Sequence, residues 1–287
     1  MTPGPNLFVV GAAKAGTTAL WRHLDAHPDV FMSKIKEPHH FSRAGLRPGQ
    51  GAVKDPAAYV RLFAEGAARR YRGEASPSYL WDPDTPSKIA RAAPDARIVV
   101  SLRDPVERAW SGYVMLVTIG CEPRTFPEAV EEELAGRVAV DARPPPYLAR
   151  GRYAEQLERY LDVFGDALAL IWFEEFTRDV RGTMVHLYDW LGLDPGIAVR
   201  LPSAPVVPHL EPRNGLARAI LAVPGARRAG AAALSGPPLR GAQRVFFHHV
   251  KPELDSAMRE RLREVFADDD ARLRSLVGRE LPWDAAK

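Results

Sequence analysis

Cysteine is almost absent from this sequence. Cys121 stands alone among 287 residues, which excludes a disulfide framework and any CxxC metal site. Lysine is scarce too: 7 against 32 arginines among the 39 basic residues, so each lysine needs a reason. No stretch approaches the roughly 20 consecutive apolar residues of a membrane-spanning helix. The first expected strand begins near Asn6, which leaves no room ahead of it for a signal peptide, and the expected compartment is the cytoplasm. Strong overall charge is also missing. A net charge of +3 and a pI of about 9.0 are too mild to point to nucleic acid, whose binders concentrate basic residues on one face.

What is present is an ordinary globular balance, 46% hydrophobic and 26% charged, enough for one large core or two modest ones. A single domain over residues 1–287 is expected, without internal repeats. Ala, Pro and Arg are enriched, as in proteins of high-GC bacterial genomes. Apolar patterning predicts strands at 7–10 and 30–32, one ending at Leu102, and one at 167–173. It predicts helices at 17–26, 59–69, 105–116, 128–134, 151–164 and 183–191, with Pro105 at a first helical position. Strands separated by helices imply an α/β fold, a three-layer arrangement with a central parallel sheet flanked by helices. Gly- and Pro-rich stretches near 42–56, 118–148 and 203–250 are too long for simple connections. In such a sheet they gather at the mouth of the site.

Just after the first strand comes 11-GAAKAGTTAL-20. Gly11 and Gly16 have the spacing of a Walker A loop, but Thr17 stands where that loop has its lysine, and the lysine is Lys14, inside the loop. Strand, glycine-rich turn and helix bring backbone N–H groups and the helix dipole to one point, a place for a phosphate. The alternative is a tight turn capped by Thr17. A second constellation is 98-IVVSLRDPVERAWSGY-113. Arg103 emerges at the carboxyl end of a buried strand, and Ser111 follows on the next helix, so an arginine fork and a hydroxyl converge on a second phosphate. The alternative is a surface network of Arg103 with Asp104 or Arg108 with Glu107. Two separate grips, with no apolar run ending in Asp as in a Walker B strand nearby, suit a nucleotide with phosphates at both ends of its ribose rather than Mg²⁺-dependent phosphoryl transfer from ATP.

In order, 8-FVVGAAKAGTTAL-20, 36-KEPHHF-41, 73-GEASPSYL-80 and 100-VSLRDPVERAWSGY-113 resemble the cytosolic bacterial branch of the sulfotransferases that use 3′-phosphoadenosine 5′-phosphosulfate (PAPS). They are similar to the catalytic domains of heparan sulfate N- and 3-O-sulfotransferases, as is the closing 273-LRSLVGRELPW-283. The resemblance implies a P-loop-like fold and transfer of a sulfuryl group to a hydroxyl or amine of a small, lipid-linked or sugar acceptor. The product nucleotide would be 3′-phosphoadenosine 5′-phosphate (PAP). By it, Lys14, Ala15, Gly16, Thr17 and Thr18 hold the 5′-phosphosulfate, and Arg103 and Ser111 hold the 3′-phosphate. Lys14 also gains a role, neutralising the leaving phosphate without a metal.

The resemblance places the catalytic glutamate at Glu37, which needs a suitably raised pKa to take a proton. His39 orients or shares that proton, or is itself the base, as in the sulfotransferases of small phenols and steroids. A Lys36–Glu37 surface pair and a structural His39 are the plain readings of the same residues. His40 is unassigned. Ala75 stands where glycan 3-O enzymes carry a lysine, which removes a cation from the acceptor side and argues against a heparan-like polyanion. Glu74, Ser76 and Tyr79 shape the cleft or cap the sheet edge. Tyr153 approaches the adenine or is a core tyrosine.

From Pro212 to Pro252 the chain has no Asp or Glu, yet it holds Arg213, Arg218, Arg227, Arg228, Arg240, Arg244 and Lys251. This basic segment closes over the donor, docks an acidic carrier, touches an anionic membrane surface, or is a solvated face. The resemblance assigns Arg240 or Arg244 to PAPS. Two other classes compete with the sulfotransferase: a P-loop phosphotransferase using ATP and Mg²⁺, and a non-catalytic module that binds PAP or PAPS.

Overall fold

The structure is a computed structural model that describes residues 3–42, 51–139, 142, 144–200, 210–212, 247–249 and 252–284. Arg240, Arg244 and most of the acid-free segment lie outside the described residues, as do 43–50 of the first irregular stretch.

The first strand, β1 (Leu7–Gly11), is buried at every position. It leads through the glycine loop into α1 (Thr17–Asp25) and then β2 (Val30–Met32). Next come α2 (Pro56–Arg61), β3 (Tyr71–Ala75), the short α3 (Ser78–Trp81), α4 (Thr85–Ala92) and β4 (Arg97–Leu102). Then follow α5 (Pro105–Thr118), α6 (Phe126–Leu134), α7 (Tyr153–Phe164), β5 (Leu168–Trp172), α8 (Phe173–Arg178) and α9 (Val180–Trp190). Two further short strands, β6 (Leu210–Pro212) and β7 (Phe247–His249), pair antiparallel with each other, and α10 (Ser256–Val277) closes the series.

The main sheet runs β2-β3-β1-β4-β5 and every pairing in it is parallel. Residues alternate between its two covered faces. Phe8, Val10, Ile98 and Val100 pack beneath α7 and the C-terminal Trp283, whereas Leu7, Val9 and Val99 pack with α1 and α9. Burial on both faces is why these strands read as continuous apolar runs. The chain builds one side of β1 first and then crosses to β4 on the other. The reversal of strand order therefore falls between β1 and β4, the position where open parallel sheets form their ligand crevice.

Most expected elements are present within a residue or two. The helix expected at 59–69 is instead α2, ending at Arg61, followed by a 3-10 turn at Ala64–Gly66. A third cluster packs α5, α6 and α10 together through Val106, Phe126, Leu262 and Phe266. Here Gly151 is needed for close approach, because a Cβ on it would lie 2.9 Å from the Phe266 ring.

Candidate active site

The glycine loop crosses the carboxyl end of β4. Ala12 N–H donates to the Ser101 carbonyl at 2.5 Å, and Ser101 Oγ–H donates to the Ala15 carbonyl at 2.6 Å. Gly16, with φ of 81°, is the N-cap of α1 and provides no side-chain cap, and the first turn of α1 holds no acid. The α1 dipole and its leading N–H groups therefore face the loop without a competing carboxylate. The reading of Thr17 as the cap does not hold. Gly16 has a packing role as well, since a Cβ there would come within 3.0 Å of Phe173.

Arg103 leaves the end of β4, and its Nη1 donates to the Lys14 carbonyl at 3.1 Å. Its guanidinium lies 4.7 Å from the Phe173 ring centroid, so one phenyl ring packs against both Gly16 and Arg103. Beneath, Tyr153 is fully buried, and its hydroxyl donates to the Arg103 carbonyl at 2.9 Å. Of its two readings, the core tyrosine is what the structure displays, with the added task of fixing Arg103. Ser111 is half-buried on α5. The proposed surface pairs are not formed: Asp104 pairs with Arg263, and Arg108 is buried with its Nη2 donating to the Tyr147 carbonyl.

The third part is 36-KEPHHF-41. Among the described residues, the non-glycine positions with positive φ are Lys14 (72°), Glu37 (65°) and His39 (48°). Such conformations cost of order 1 to 3 kcal/mol each and persist where the surroundings impose them, often at functional sites. Here they coincide with the residues expected to carry the chemistry. The Lys36–Glu37 pair is present at 2.5 Å, with Glu37 about one-fifth exposed, and His39 Nε2 lies 3.5 Å from the other Glu37 oxygen. Burial alone would raise the Glu37 carboxyl. The His39 contact and the charge and hydrogen bond of Lys36 outweigh it and hold the group well below the usual carboxylate range. His39 is also pulled down, first by burial and against the opposing effect of Glu37. At neutral pH the pair is carboxylate and neutral imidazole. The expected raised pKa of Glu37 is thus not found in the free protein, because the His39 hydrogen bond and the Lys36 charge hold it down.

Side chains outside the motifs hold this segment in place. His39 N–H donates to Ser76 Oγ at 3.0 Å, and His39 Nδ1 lies 2.6 Å from Ser78 Oγ. Lys54 Nζ donates to the carbonyls of His39 and Ser42 at 2.8 and 2.5 Å. His40 stacks on Tyr59 at 3.9 Å between centroids and has a structural place. Ser76 passes the connection inward, donating to Glu74 Oε2 at 2.5 Å, while the Tyr59 and Tyr79 hydroxyls donate to Oε1 at 2.5 and 2.7 Å. Glu74, Ser76 and Tyr79 are all buried, so they neither line the cleft nor cap an edge; they brace the base segment from below. Sequence reasoning also missed Arg150. Burial first, and the nearby Arg108 next, pull its guanidinium down to about 10, with Glu37 opposing. Arg150 forms no ion pair or hydrogen bond among the described residues.

Glu74 gives a testable pH dependence. Burial pushes its carboxyl up to about 7 from 4.5, against the three hydroxyl donors. The native state binds this proton more tightly than the unfolded chain does. Its stabilisation is therefore fully present below pH 4.5 and is lost as pH rises to about 7. The unfolding free energy should fall by about 3 kcal/mol across that window. Glu74→Gln, which mimics the protonated acid, should flatten the slope in denaturant titrations. A slope unchanged by the substitution would contradict this assignment.

A parallel sheet whose glycine loop and Arg103 meet at its switch point, with a glutamate–histidine pair in the 36–41 segment, has the P-loop-like architecture. Residues 5–195 match the Sulfotransferase family, and the chain belongs to that family, the one its four motifs led us to expect. Carbohydrate sulfotransferase 15 of Homo sapiens is 29% identical over 247 residues, covering 67% of this chain and 44% of that protein. Heparan sulfate glucosamine 3-O-sulfotransferase 3B1 of Homo sapiens is 26% identical over 285 residues, 98% of this chain and 65% of that protein. The chain thus spans less than two-thirds of the length of these relatives. A crystal structure of a sulfotransferase from Alicyclobacillus acidocaldarius superimposes with a TM-score of 0.73 at 32% identity, covering 96% of this chain and 97% of that one.

No helix among the described residues is long and apolar enough to cross a membrane.

Proposed function

We propose that this chain transfers a sulfuryl group from PAPS to a hydroxyl or amine of a small, lipid-linked or sugar acceptor, in line and without a metal. The observation that carries the proposal is the bond from Arg103 to the Lys14 carbonyl, which fixes two anion grips against each other at 3.1 Å. A mononucleotide triphosphate needs one such grip, while a 3′,5′-substituted nucleotide needs two. The glycine loop fits a 5′-phosphosulfate, because α1 begins on an uncapped glycine with no acid in its first turn.

Bound PAPS supplies a sulfuryl group on a phosphate leaving group. Lys14 and the N-terminus of α1 stabilise the charge that develops on that phosphate as the sulfur–oxygen bond breaks. Glu37, already ionised, takes the proton of the acceptor as its oxygen or nitrogen bonds to sulfur. An acceptor docked over Glu37 excludes water, which moves the carboxyl upward toward the range of an effective base. His39 orients Glu37, and the Ser76–Glu74 brace holds both. Arg103 and Ser111 bind the 3′-phosphate, while Tyr153 acts on the nucleotide through Arg103.

We place the protein in a bacterial cytoplasm, on its composition and on the bacterial relative that spans nearly all of it. An acidic carrier or anionic membrane surface at 213–251, and a PAPS contact from Arg240 or Arg244, rest on composition and resemblance. Incubation with radiolabelled PAPS and mixed sugar, phenol and lipid-linked acceptors tests the function. Acceptor-dependent appearance of labelled sulfate ester or sulfamate is expected. Nucleotide binding without transfer to any acceptor would favour a non-catalytic module.

A further inference from the structure

The donor side of the site holds a charge that two grips alone leave unexplained. Glu107 and Ser111 lie four residues apart on one face of α5, and Arg103 immediately precedes its N-cap Asp104. Glu107 Oε2 is 3.6 Å from the Arg103 guanidinium. A phosphate held by Arg103 and Ser111 must therefore approach a carboxylate, an unfavourable arrangement unless a cation compensates. The compensating cation is present: Arg259 Nη1 donates to Glu107 Oε1 at 2.6 Å.

Arg259 comes from the first turn of α10, 152 positions away in sequence. That helix is anchored at the same end of the sheet. Arg263 binds Asp104 through two hydrogen bonds of 3.0 and 2.6 Å, and Asp269 accepts from the Tyr153 N–H at 2.6 Å. Asp104 in turn caps α5, so the placement of α10 and of the Arg103 grip depend on one residue. The Arg259 side chain is 40% exposed, which leaves its guanidinium reachable from solvent. An exposed ion pair of this kind contributes little to stability, so its placement beside the grip has another use.

We propose that Glu107 holds Arg259 at the rim of the 3′-phosphate pocket, where the Arg259 guanidinium binds the 3′-phosphate and neutralises the adjoining carboxylate. Arg259 is then a nucleotide-binding residue supplied by the C-terminal helix, and Glu107 is its positioning residue. The inference rests on the reading of Arg103 and Ser111 as the 3′-phosphate grip.

Calorimetric titration with PAP and with adenosine 5′-phosphate (AMP), which lacks the 3′-phosphate, separates the possibilities. The chains compared are the wild type, Arg259→Gln, Arg259→Gln with Glu107→Gln, and Arg103→Ala. Arg259→Gln should weaken PAP about tenfold and leave AMP unchanged within about twofold. Adding Glu107→Gln should recover part of that loss, because the carboxylate that faces the phosphate is gone. A merely structural pair would not show this recovery. The inference is overturned if Arg259→Gln leaves the preference for PAP over AMP intact, or if the double variant binds PAP no more tightly than Arg259→Gln. Loss of PAP affinity in Arg103→Ala alone would confine the failure to Arg259. No loss in Arg103→Ala would remove the two-grip reading itself.

Discussion

Glu37→Gln should lower the rate of sulfuryl transfer by about a thousandfold, within the range attributed to a positioned general base, while PAP binds with nearly its original affinity. The substitution keeps the size and much of the hydrogen bonding of the side chain but removes the acceptor of the proton. Glu37 lies in the 36–41 segment braced by Ser76, Ser78 and Lys54, whereas Arg103 bonds to the Lys14 carbonyl. The pH profile gives a second readout. Glu37 is held below the usual carboxylate range by His39 and Lys36, and His39 is pulled below 6.5 chiefly by burial. The profile of kcat/KM should therefore show no acid limb near 6.5, where an unperturbed histidine would titrate. Retained turnover in Glu37→Gln would transfer the role of base to His39.

Arg103→Ala should weaken PAP by about 1.5 to 3 kcal/mol, the scale of a hydrogen bond to a charged group. Some of the loss comes through the glycine loop, because Arg103 also holds the Lys14 carbonyl. Arg103→Lys should recover only part of it: lysine restores the charge but cannot reproduce the planar fork that serves a phosphate and a carbonyl together. Calorimetry with PAP measures both. Unchanged affinity in Arg103→Ala would take this residue out of the site.

The parts of the fold that were legible in the sequence are those whose burial uses apolar side chains. β1 opens on the apolar run 7–10 and β4 holds the run 98–100, and the crevice between them followed from the glycine loop and from Arg103. β3 was not legible, because its buried positions include Gly73 and Glu74. Gly73 is there for close approach, since a Cβ would collide with the Met32 sulfur, and Glu74 is satisfied by hydroxyls from three other residues. α10 was hidden by its charge: it buries Leu262, Phe266, Asp270 and Leu273 on one face and presents acids and arginines elsewhere.

The same division runs through the site. Lys14, Glu37 and His39 could be found from local motifs, and each adopts a strained backbone conformation. The residues that tune and brace them come from distant segments. Lys36 lies beside Glu37 in sequence, but its effect on the carboxyl depends on a backbone turn that no spacing rule encodes. Arg150 approaches Glu37 from the turn before α7. Tyr153 is fully buried, and its hydroxyl reaches the Arg103 carbonyl.

The most direct test of the central claim, a pocket built for a nucleotide with phosphates at both ends, is the shift in unfolding temperature on adding PAP, set against ATP with Mg²⁺. At about 100 times its dissociation constant a ligand stabilises the native state by about 2.7 kcal/mol, enough for a clear shift. A rise with PAP that EDTA does not change, and no rise with ATP and Mg²⁺, is the predicted result. A rise with ATP and Mg²⁺ alone would mean that Lys14 serves a triphosphate, and would contradict the assignment of both grips.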